Sequence, residues 1–599
     1  MKRRHEMPFG AQFGEEATRF RLWAPACELV RIEFGNPARA AAMEAVGDGW
    51  HEARIAGVRP GDAYAFHVKA GGPAVADPAS RFNPWDANAP SVVVDPQAYD
   101  WQDDAWRGRP WHEAVVYEMH IGAFTSEGTY AAATARLDHL ADTGITAIEL
   151  LPLADFVGTR NWGYDGVLPF APDSAYGTPE DLKRFIDAAH QRGLMVLLDV
   201  VYNHFGPEGN YLSMYAPQFF NAAHQTPWGA AINFDGDHSR TVRDFFIHNA
   251  LYWIQEYRFD GLRMDAIHAI ADDSPTHIVT EIAEAVAAGP GLERHVHIVL
   301  ENDANSATLL ARDSRQATAQ WNDDAHHAFH LLLTGERDGY YRDYADRPAW
   351  HLARTLSEGF SYQGEPSAHR NGDQRGEHSS HLPLEAFVPF LQNHDQVGNR
   401  AMGERLVTLA PPKALRLASA TLLLAPSVPL LFMGEEFGAN TPFLYFCDFK
   451  GDLARAVREG RRREFAAFAR FAGDGATDTI PDPNDPRTFL DSKLDWEQLG
   501  ARENAAWLEH YRALLHLRAR AIVPRLLHGA SGSFSITSET GIAIDWKLGD
   551  GSRLHLRANY GNRPVLMKAG VGKLLHFEGG EPHADSLAAW SGAWTLESA

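Results

Sequence analysis

Residues 259–266 read FDGLRMDA, and the architecture of the chain follows from where that stretch sits. Leu262 and Met264 form an apolar strand core, with Arg263 and Asp265 two positions apart. Side chains alternate between the faces of a strand, so the arginine and the aspartate lie side by side on one face. Taking such a pair out of water costs several kcal/mol per ion unless a structural or chemical use offsets it. Alone, the octapeptide supports a structural salt bridge, or Asp265 capping a following helix, as well as it supports a site. Three further stretches change the balance. DVVYNH (199–204), HIVLEN (297–302) and FLQNHDQ (390–396) are also apolar runs carrying acids and histidines. Four such strand ends in one chain predict the rim of a parallel barrel.

Strand and helix patterns alternate outward from that stretch. VVYEMHI (115–121), AIELLPL (147–153), MVLLDVVY (195–202), GLRMDA, HIVLE, a strand near 319–321, FVPFLQNHD and PLLFMGEE give eight strands. Helices are predicted around 130–143, over 179–192, around 242–257 and after Ser274. The second opens with Pro179 and acids, and puts Leu182, Phe185, Ile186 and Ala189 on one face. Phe245, Phe246, Trp253 and Tyr257 recur at helical spacing and read as core. The predicted fold class is α/β, a (β/α)8 TIM barrel whose working groups stand at the carboxyl ends of the strands.

On the N-terminal side, RFRLWAP, LVRIEF, HEARI and DAYAFHV alternate as strands between turn signals, predicting a small immunoglobulin-like β-sandwich. After about 525, SFSITS, GIAIDWKL and RLHLRANY predict a C-terminal β-sandwich. The expected division is 1–105, 106–525 and 526–599. The segment 205–239, with GPEGNYLSMYAPQFF, is long enough for a lid, and its aromatics suit an ordered wall on which sugars stack.

Net charge is 55 − 78 = −23 over 599 residues, with 45% apolar composition. A large core is expected, and nucleic acid and anionic membranes are disfavoured as partners. The most apolar run, 417–433, holds Pro426 and Pro429 and leads into Glu435 and Glu436, so it reads as a buried helix, turn and strand. MKRRHEMPFGAQ is basic but lacks an apolar segment behind it, so no signal peptide is expected. Cys27 and Cys447 lie far apart without metal-ligand spacing, which fits a reducing compartment, and the cytoplasm is the expected location.

On the predicted rim stand Asp199, His204, Arg263, Asp265, Glu301, His394 and Asp395. Carboxylates with arginine and histidine, and no serine or cysteine nucleophile motif, point to glycoside hydrolysis by a carboxylate pair. Asp265 is the expected nucleophile, kept ionised by Arg263. Glu301 ends a very apolar strand, where desolvation should keep it protonated as the acid. Asp395 would hold sugar hydroxyls and support oxocarbenium-like charge. His204 and His394 would donate to hydroxyls of the reacting sugar. A carboxylate–histidine cluster also suits a metal, but no HExxH or comparable spacing occurs, so no metal or other cofactor is expected in the site. Asn203 is the one residue set aside for a structural calcium.

DVVYNH, GLRMDA, the glutamate of HIVLE and QNHD, in that order, resemble the four signature regions of the alpha-amylase family of retaining glycoside hydrolases. The likeness covers roughly 110–525. It implies Asp265 as nucleophile, Glu301 as proton donor and Asp395 as transition-state stabiliser. Trp162, Tyr164 and Asp165 of WGYD resemble the family segment whose tyrosine stacks under the sugar at the cleaved bond. Within the family the chain is most similar to the trehalose-releasing maltooligosyltrehalose trehalohydrolases. YEMHIGAFTSEGTY (117–130), WNDDAHHAFHLLLTGERDGYY (321–341), QNHDQVGNR (392–400), GRRREFAAF (460–468) and PDPNDPRTFLDSKLDW (481–496) carry that likeness. It implies cleavage of the α-1,4 bond next to a terminal trehalose, with configuration retained. Asp323, Asp324, His326 and His327 would lie near the substrate, with Arg263, His268, Gln396 and Asn399 beside them. Two positions depart from the pattern: Asn302 follows the glutamate where an acid is expected, and Ala325 replaces an aromatic.

Two other readings remain: a glucan branching or debranching enzyme with the same acids, and a catalytically dead carbohydrate-binding protein. The presence of Asp265, Glu301 and Asp395 disfavours the second. The expected partner is a small-molecule oligosaccharide, with the chain a monomer or weak homodimer. The basic run 455–463 reads as a solvated or salt-bridged helix.

Overall fold

The architecture comes from a computed structural model that describes residues 2–35, 39–226, 228–310, 316–465, 479–580 and 585–599. The last three residues of GRRREFAAF lie outside the described residues. Eight strands form one parallel sheet: β1 (Val116–Met119), β2 (Ala147–Leu150), β3 (Met195–Val200), β4 (Gly261–Met264), β5 (His297–Leu300), β6 (Ala319–Asn322), β7 (Phe387–Pro389) and β8 (Leu430–Phe432). Their order is 7-6-5-4-3-2-1-8, and a parallel bridge between Phe390 and Leu430 joins the two edges into a barrel. Every residue of these strands is buried, as expected where helices cover the outside and side chains fill the inside.

Alternation then sorts the inward faces into layers. Val116, Ala147, Leu197 and Val299 belong to an apolar cluster with Trp321, Phe390 and Leu430. Two residues further along the same faces come Glu118, Glu149, Asp199 and Glu301, with Arg263 two beyond Gly261. The barrel is thus filled with oil below and charge above, and the charged layer lies under the carboxyl-terminal rim.

The helix expected around 130–143 is two helices, α1 (Tyr130–Thr134) and α2 (Leu137–Thr143), because Arg136 N closes on Ala133 O and ends the first. Next come α3 (Pro179–His190) and α4 (Ser239–Glu256), then α5 (Ile278–Ala288), α6 (Asp323–Thr334) and α7 (Pro348–Glu358). Thr178 and Asp181 cap α3 reciprocally, side chain to backbone in both directions. Tyr252, Trp253 and Tyr257 are buried at the end of α4, as core.

Before the barrel, two four-stranded antiparallel sheets face each other, with Phe20 of one against Phe34 and Tyr64 of the other. After it, a five-stranded antiparallel sheet packs against α7, where Trp546 Nε1 donates to Leu356 O at 2.8 Å. The long segment after β3 is ordered into a helix, Leu212–Tyr215, and a hairpin, Phe220–Thr226 with Gly229–Ile232. Among the described residues no helix is long and apolar enough to cross a membrane.

Candidate active site

Arg263 is the centre of the charged layer and has no exposed surface. Asp199 is its register partner on β3. Its Nη1 donates to Asp199 Oδ2 at 2.6 Å and to Asp265 Oδ1 at 2.9 Å, and its Nη2 donates to Glu301 Oε2 at 2.8 Å. The Trp321 ring lies beneath, 4.0 Å from the guanidinium carbon, and adds a cation–π contact in a desolvated place. One buried cation therefore holds three carboxylates from three adjacent strands.

The turn after β4 sets the second half of the geometry. Ala266 has φ +40°, a conformation that costs a non-glycine residue about 1 kcal/mol or more. In exchange its N–H points at Glu301 Oε2, 2.8 Å away, and Ile267 N reaches Glu301 O at 3.0 Å. A hydrogen bond from Glu301 acts to lower the Asp265 pKa. Burial raises the Glu301 pKa, Arg263 opposes that, and the neighbouring Asp265 charge adds to it. Burial also lifts Asp265 to about 6 despite Arg263, so the arginine moderates the desolvation of Asp265 without cancelling it. Both carboxyls are thus raised by burial, and each opposes the ionisation of the other. Asn203 Nδ2 donates to Asp265 Oδ2 at 3.2 Å, and its Oδ1 is 2.6 Å from His204 Nδ1, so the Asn203 amide links the two residues.

Asp395 opens a short helix after β7 and is partly exposed. Asn399 Nδ2 donates to its Oδ1 at 3.2 Å, and His394 Nε2 is 3.4 Å from the same oxygen. Burial disfavours charge on His394, but Asp395 and Glu118 outweigh it and raise its pKa to about 9. Tyr164 stacks on the His394 ring at 5.1 Å and donates its hydroxyl to Asp199 Oδ2 at 2.6 Å. Asp323 is pushed up to about 8 by burial and by the charges of Glu301 and Asp303. Gln396 Nε2 is 3.4 Å from Asp323 Oδ1, and His268 stands exposed with Nδ1 accepting from Asp303 N at 3.3 Å. These residues gather at the carboxyl-terminal rim of the barrel.

Several residues expected at the substrate are engaged by other parts of the protein. Trp162 is buried, stacks on Phe443, donates to Leu444 O and fills the space left by Gly398, where a Cβ would come within 2.1 Å of its ring. Asp165 is tied to Asn161 Nδ2 at 2.7 Å. Asp324 accepts from Asn305 Nδ2, Tyr344 Oη, and the backbone N–H groups of Ser361 and Tyr362, and pairs with Arg375 at 3.2 Å. His326 uses both ring nitrogens, on Leu391 O at 2.6 Å and Tyr341 Oη at 3.0 Å. His327 is buried among Tyr340, Tyr341 and Tyr344. His204 likewise spends both nitrogens, on Asn203 and on Tyr164 O at 3.0 Å, and offers a ring face to Trp228 at 4.6 Å. Helix and strand spacing brings these residues to the neighbourhood, where protein atoms hold all of them except His327, whose Nδ1 is buried without a hydrogen-bond partner.

Glu118 is the residue that sequence reasoning passed over. It is buried on β1 and holds His394 from beneath. An acid inside the apolar run VYEM was the available signal. Arg375 and Asp303, paired at 3.0 Å beside Asp323, were missed as well. Among the described residues, His224, Asp235 and Asp273 bring three possible metal-ligand atoms within 4.8 Å in and near the hairpin after β3, but His224 and Asp235 already bond each other at 2.8 Å.

The chain is similar to known proteins over most of its length. The alpha amylase catalytic-domain model matches residues 102–251, and a domain of unknown function matches 529–594. The malto-oligosyltrehalose trehalohydrolase of Deinococcus radiodurans is 42% identical over 84% of this chain and 81% of its own length. The enzyme of the same name from Rhizobium sp. M-11 is 40% identical over 93% of this chain and 94% of its own. A crystal structure from Salmonella typhimurium, provisionally called an alpha amylase, superposes with TM-score 0.94 at 48% identity, covering 99% of this chain and all of the other.

Proposed function

The chain belongs to the malto-oligosyltrehalose trehalohydrolases, and from that premise we propose that it hydrolyses the α-1,4-glucosidic bond next to the terminal trehalose of maltooligosyltrehalose, releasing trehalose and a maltooligosaccharide. The observation that carries the mechanism is Arg263 bound at once to Asp265 and Glu301, at 2.9 and 2.8 Å. Asp265 attacks the anomeric carbon as the ionised partner. Glu301 gives its proton to the departing glycosidic oxygen of trehalose. A glycosyl-enzyme ester on Asp265 results, and Glu301, now a base, takes a proton from the water that cleaves it. Asp395 and the His394 imidazolium face the sugar as a fixed anion–cation pair that binds hydroxyls and tolerates the positive ring of the transition state. Tyr164, held flat by His394 and Asp199, offers the reacting ring a platform.

The test is a product assay on maltooligosyltrehalose, plain maltooligosaccharides and starch. Trehalose from the first, with little cleavage of the others, is the expected result. New α-1,6 branches, or linear chains from starch, would replace this reading with a branching or debranching one. The reading also takes the enzyme as cytoplasmic and monomeric or weakly dimeric. Its unpaired Cys27 and Cys447 suit a reducing compartment, and fractionation with sedimentation checks both points. The boundaries near 105 and 525 are open to limited proteolysis.

A further inference from the structure

The basic start of the chain has no part in this chemistry, yet the structure gives it a place. Arg3 and Arg4 join Arg107, Arg258 and Arg294 around a cavity of about 600 Å3 whose acids are Asp104 and Glu293. The segments that build it run into β1, β4 and β5, so it lies at the amino-terminal end of the barrel, opposite the catalytic carboxylates. Five guanidinium groups and two carboxylates line it in a chain whose net charge is −23, with Asp103, Asp260 and Glu6 paired to Arg258, Arg294 and Arg4.

The arginines are not equally satisfied. Arg294 donates to Asp260 Oδ1 at 2.8 Å and to Ile254 O and Phe259 O at 2.7 Å each. Arg107 donates to Asp104 O and Trp106 O. Arg258 is only 2% exposed and shares Asp103, 3.0 Å from its Nε, with His190. Its Nη1 is buried without an acceptor, as is Nε of Arg3. Arg258 also holds φ +61°, rare for a bulky side chain. Burial, together with the charges of Arg3 and Arg294, depresses its pKa to about 10 although Asp103 opposes them. Buried donors without acceptors and crowded like charges are both unfavourable, and one oxyanion would relieve both.

We propose that this cavity is an anion site that takes a phosphoryl group, with Arg3 and Arg258 as its principal donors. Guanidinium forks match phosphate oxygens two at a time, and the volume leaves room for more than a bare ion. The ligand is therefore inorganic phosphate or the phosphate ester of a hexose, whose ring Trp106 in the wall would meet.

The test is titration calorimetry of the full chain at constant ionic strength, with inorganic phosphate and with glucose 1-phosphate, against sodium chloride. One saturable site is expected, weakened about tenfold or more in Arg3→Gln, the scale of one charge-assisted contact. Hydrolysis by that variant should be unchanged, since Arg3 is at the far end of the barrel. Arg258→Gln should abolish binding, and if it does not fold, the double variant Arg3→Gln/Arg107→Gln takes its place. Tighter binding of the ester identifies the sugar phosphate, and equal binding identifies the free ion. No saturable heat from either probe, or binding untouched by the Arg3 substitutions, would overturn the proposal.

Discussion

Glu118 grips His394 twice: Oε1 is 2.5 Å from the imidazole Nδ1, and Oε2 accepts the backbone N–H of His394 at 2.8 Å. Both side chains are about 1% exposed. The pair ties β1 to the helix that presents Asp395, across the seam formed by β1, β8 and β7. Because the His394 pKa is raised to about 9 from an ordinary 6.5, its bound proton stabilises the fold below pH 6.5, and that contribution is lost as pH rises through 9. The shift corresponds to about 3 kcal/mol at most. Glu118→Gln keeps the shape and removes the charge. We expect the loss of stability between pH 6.5 and 9 to shrink and move to lower pH in pH-dependent unfolding, with the Asp395 charge supplying what remains. We also expect kcat/KM to fall off at a lower pH than in the parent, as His394 becomes neutral. An unchanged pH profile would show that the imidazolium has no catalytic use.

Asp265→Ala should remove hydrolysis to below about one part in 10³, the scale for loss of a covalent nucleophile acting in a unit. Stability should change by less than about 1 kcal/mol. Arg263 keeps Asp199 at 2.6 Å and Glu301 at 2.8 Å after the substitution, so no buried cation is left bare. Retained turnover would reject Asp265 as the attacking group. A large drop in the unfolding midpoint would show that its charge holds the barrel together.

How much of this was legible beforehand follows from periodicity. Strand alternation placed Arg263 and Asp265 correctly on one face, and the apolar run HIVLE placed Glu301 at a strand end beside them. Helix rotation was less readable. Successive residues of α6 turn by about 100°, so Asp323 stands at the rim while Asp324 turns away to Tyr344 and Arg375. His326, three residues on from Asp323 and so near its face, is instead held by Leu391 O and Tyr341 Oη, contacts that helix spacing does not record. Glu118 was hidden because its partner lies 276 residues away, and no local pattern records a contact of that span. The break between α1 and α2 was likewise invisible, since neither glycine nor proline marks it.

Asp324→Ala and Asp323→Asn should separate on stability and activity, although the residues are neighbours. Asp324 is a buried acceptor for four hydrogen bonds, so its removal leaves buried donors without an acceptor, although Arg375 keeps Asp303, and should cost about 3 kcal/mol in denaturant unfolding. Asp323, raised to about 8, is mostly protonated at neutral pH, and asparagine imitates that form. Its variant should unfold like the parent and match its activity near pH 6, diverging only above about pH 8. A stability loss confined to the Asp323 variant would invert the assignment.

Glu301→Gln tests the acid directly. The parent should be active between two limits: a rise as Asp265, at about 6, loses its proton, and a fall at higher pH as Glu301 loses its own. Glutamine retains a carbonyl oxygen for the N–H groups of Arg263 and Ala266, 2.8 Å from the present carboxylate, so the fold should be nearly unaffected. With no proton to give, the rate on maltooligosyltrehalose should drop by about 10²–10⁴, and what remains should lose the Glu301 part of the alkaline limb and keep only the fall near pH 9 from His394. A glycosyl fluoride, whose leaving group departs without a proton, should recover much of the first step. If the whole alkaline limb persists in the variant, the proton comes from another group, and Asp323 would be the next to substitute. If the fluoride is no better than the natural substrate, Glu301 acts by placing Arg263 and Ala266 and not by acid catalysis.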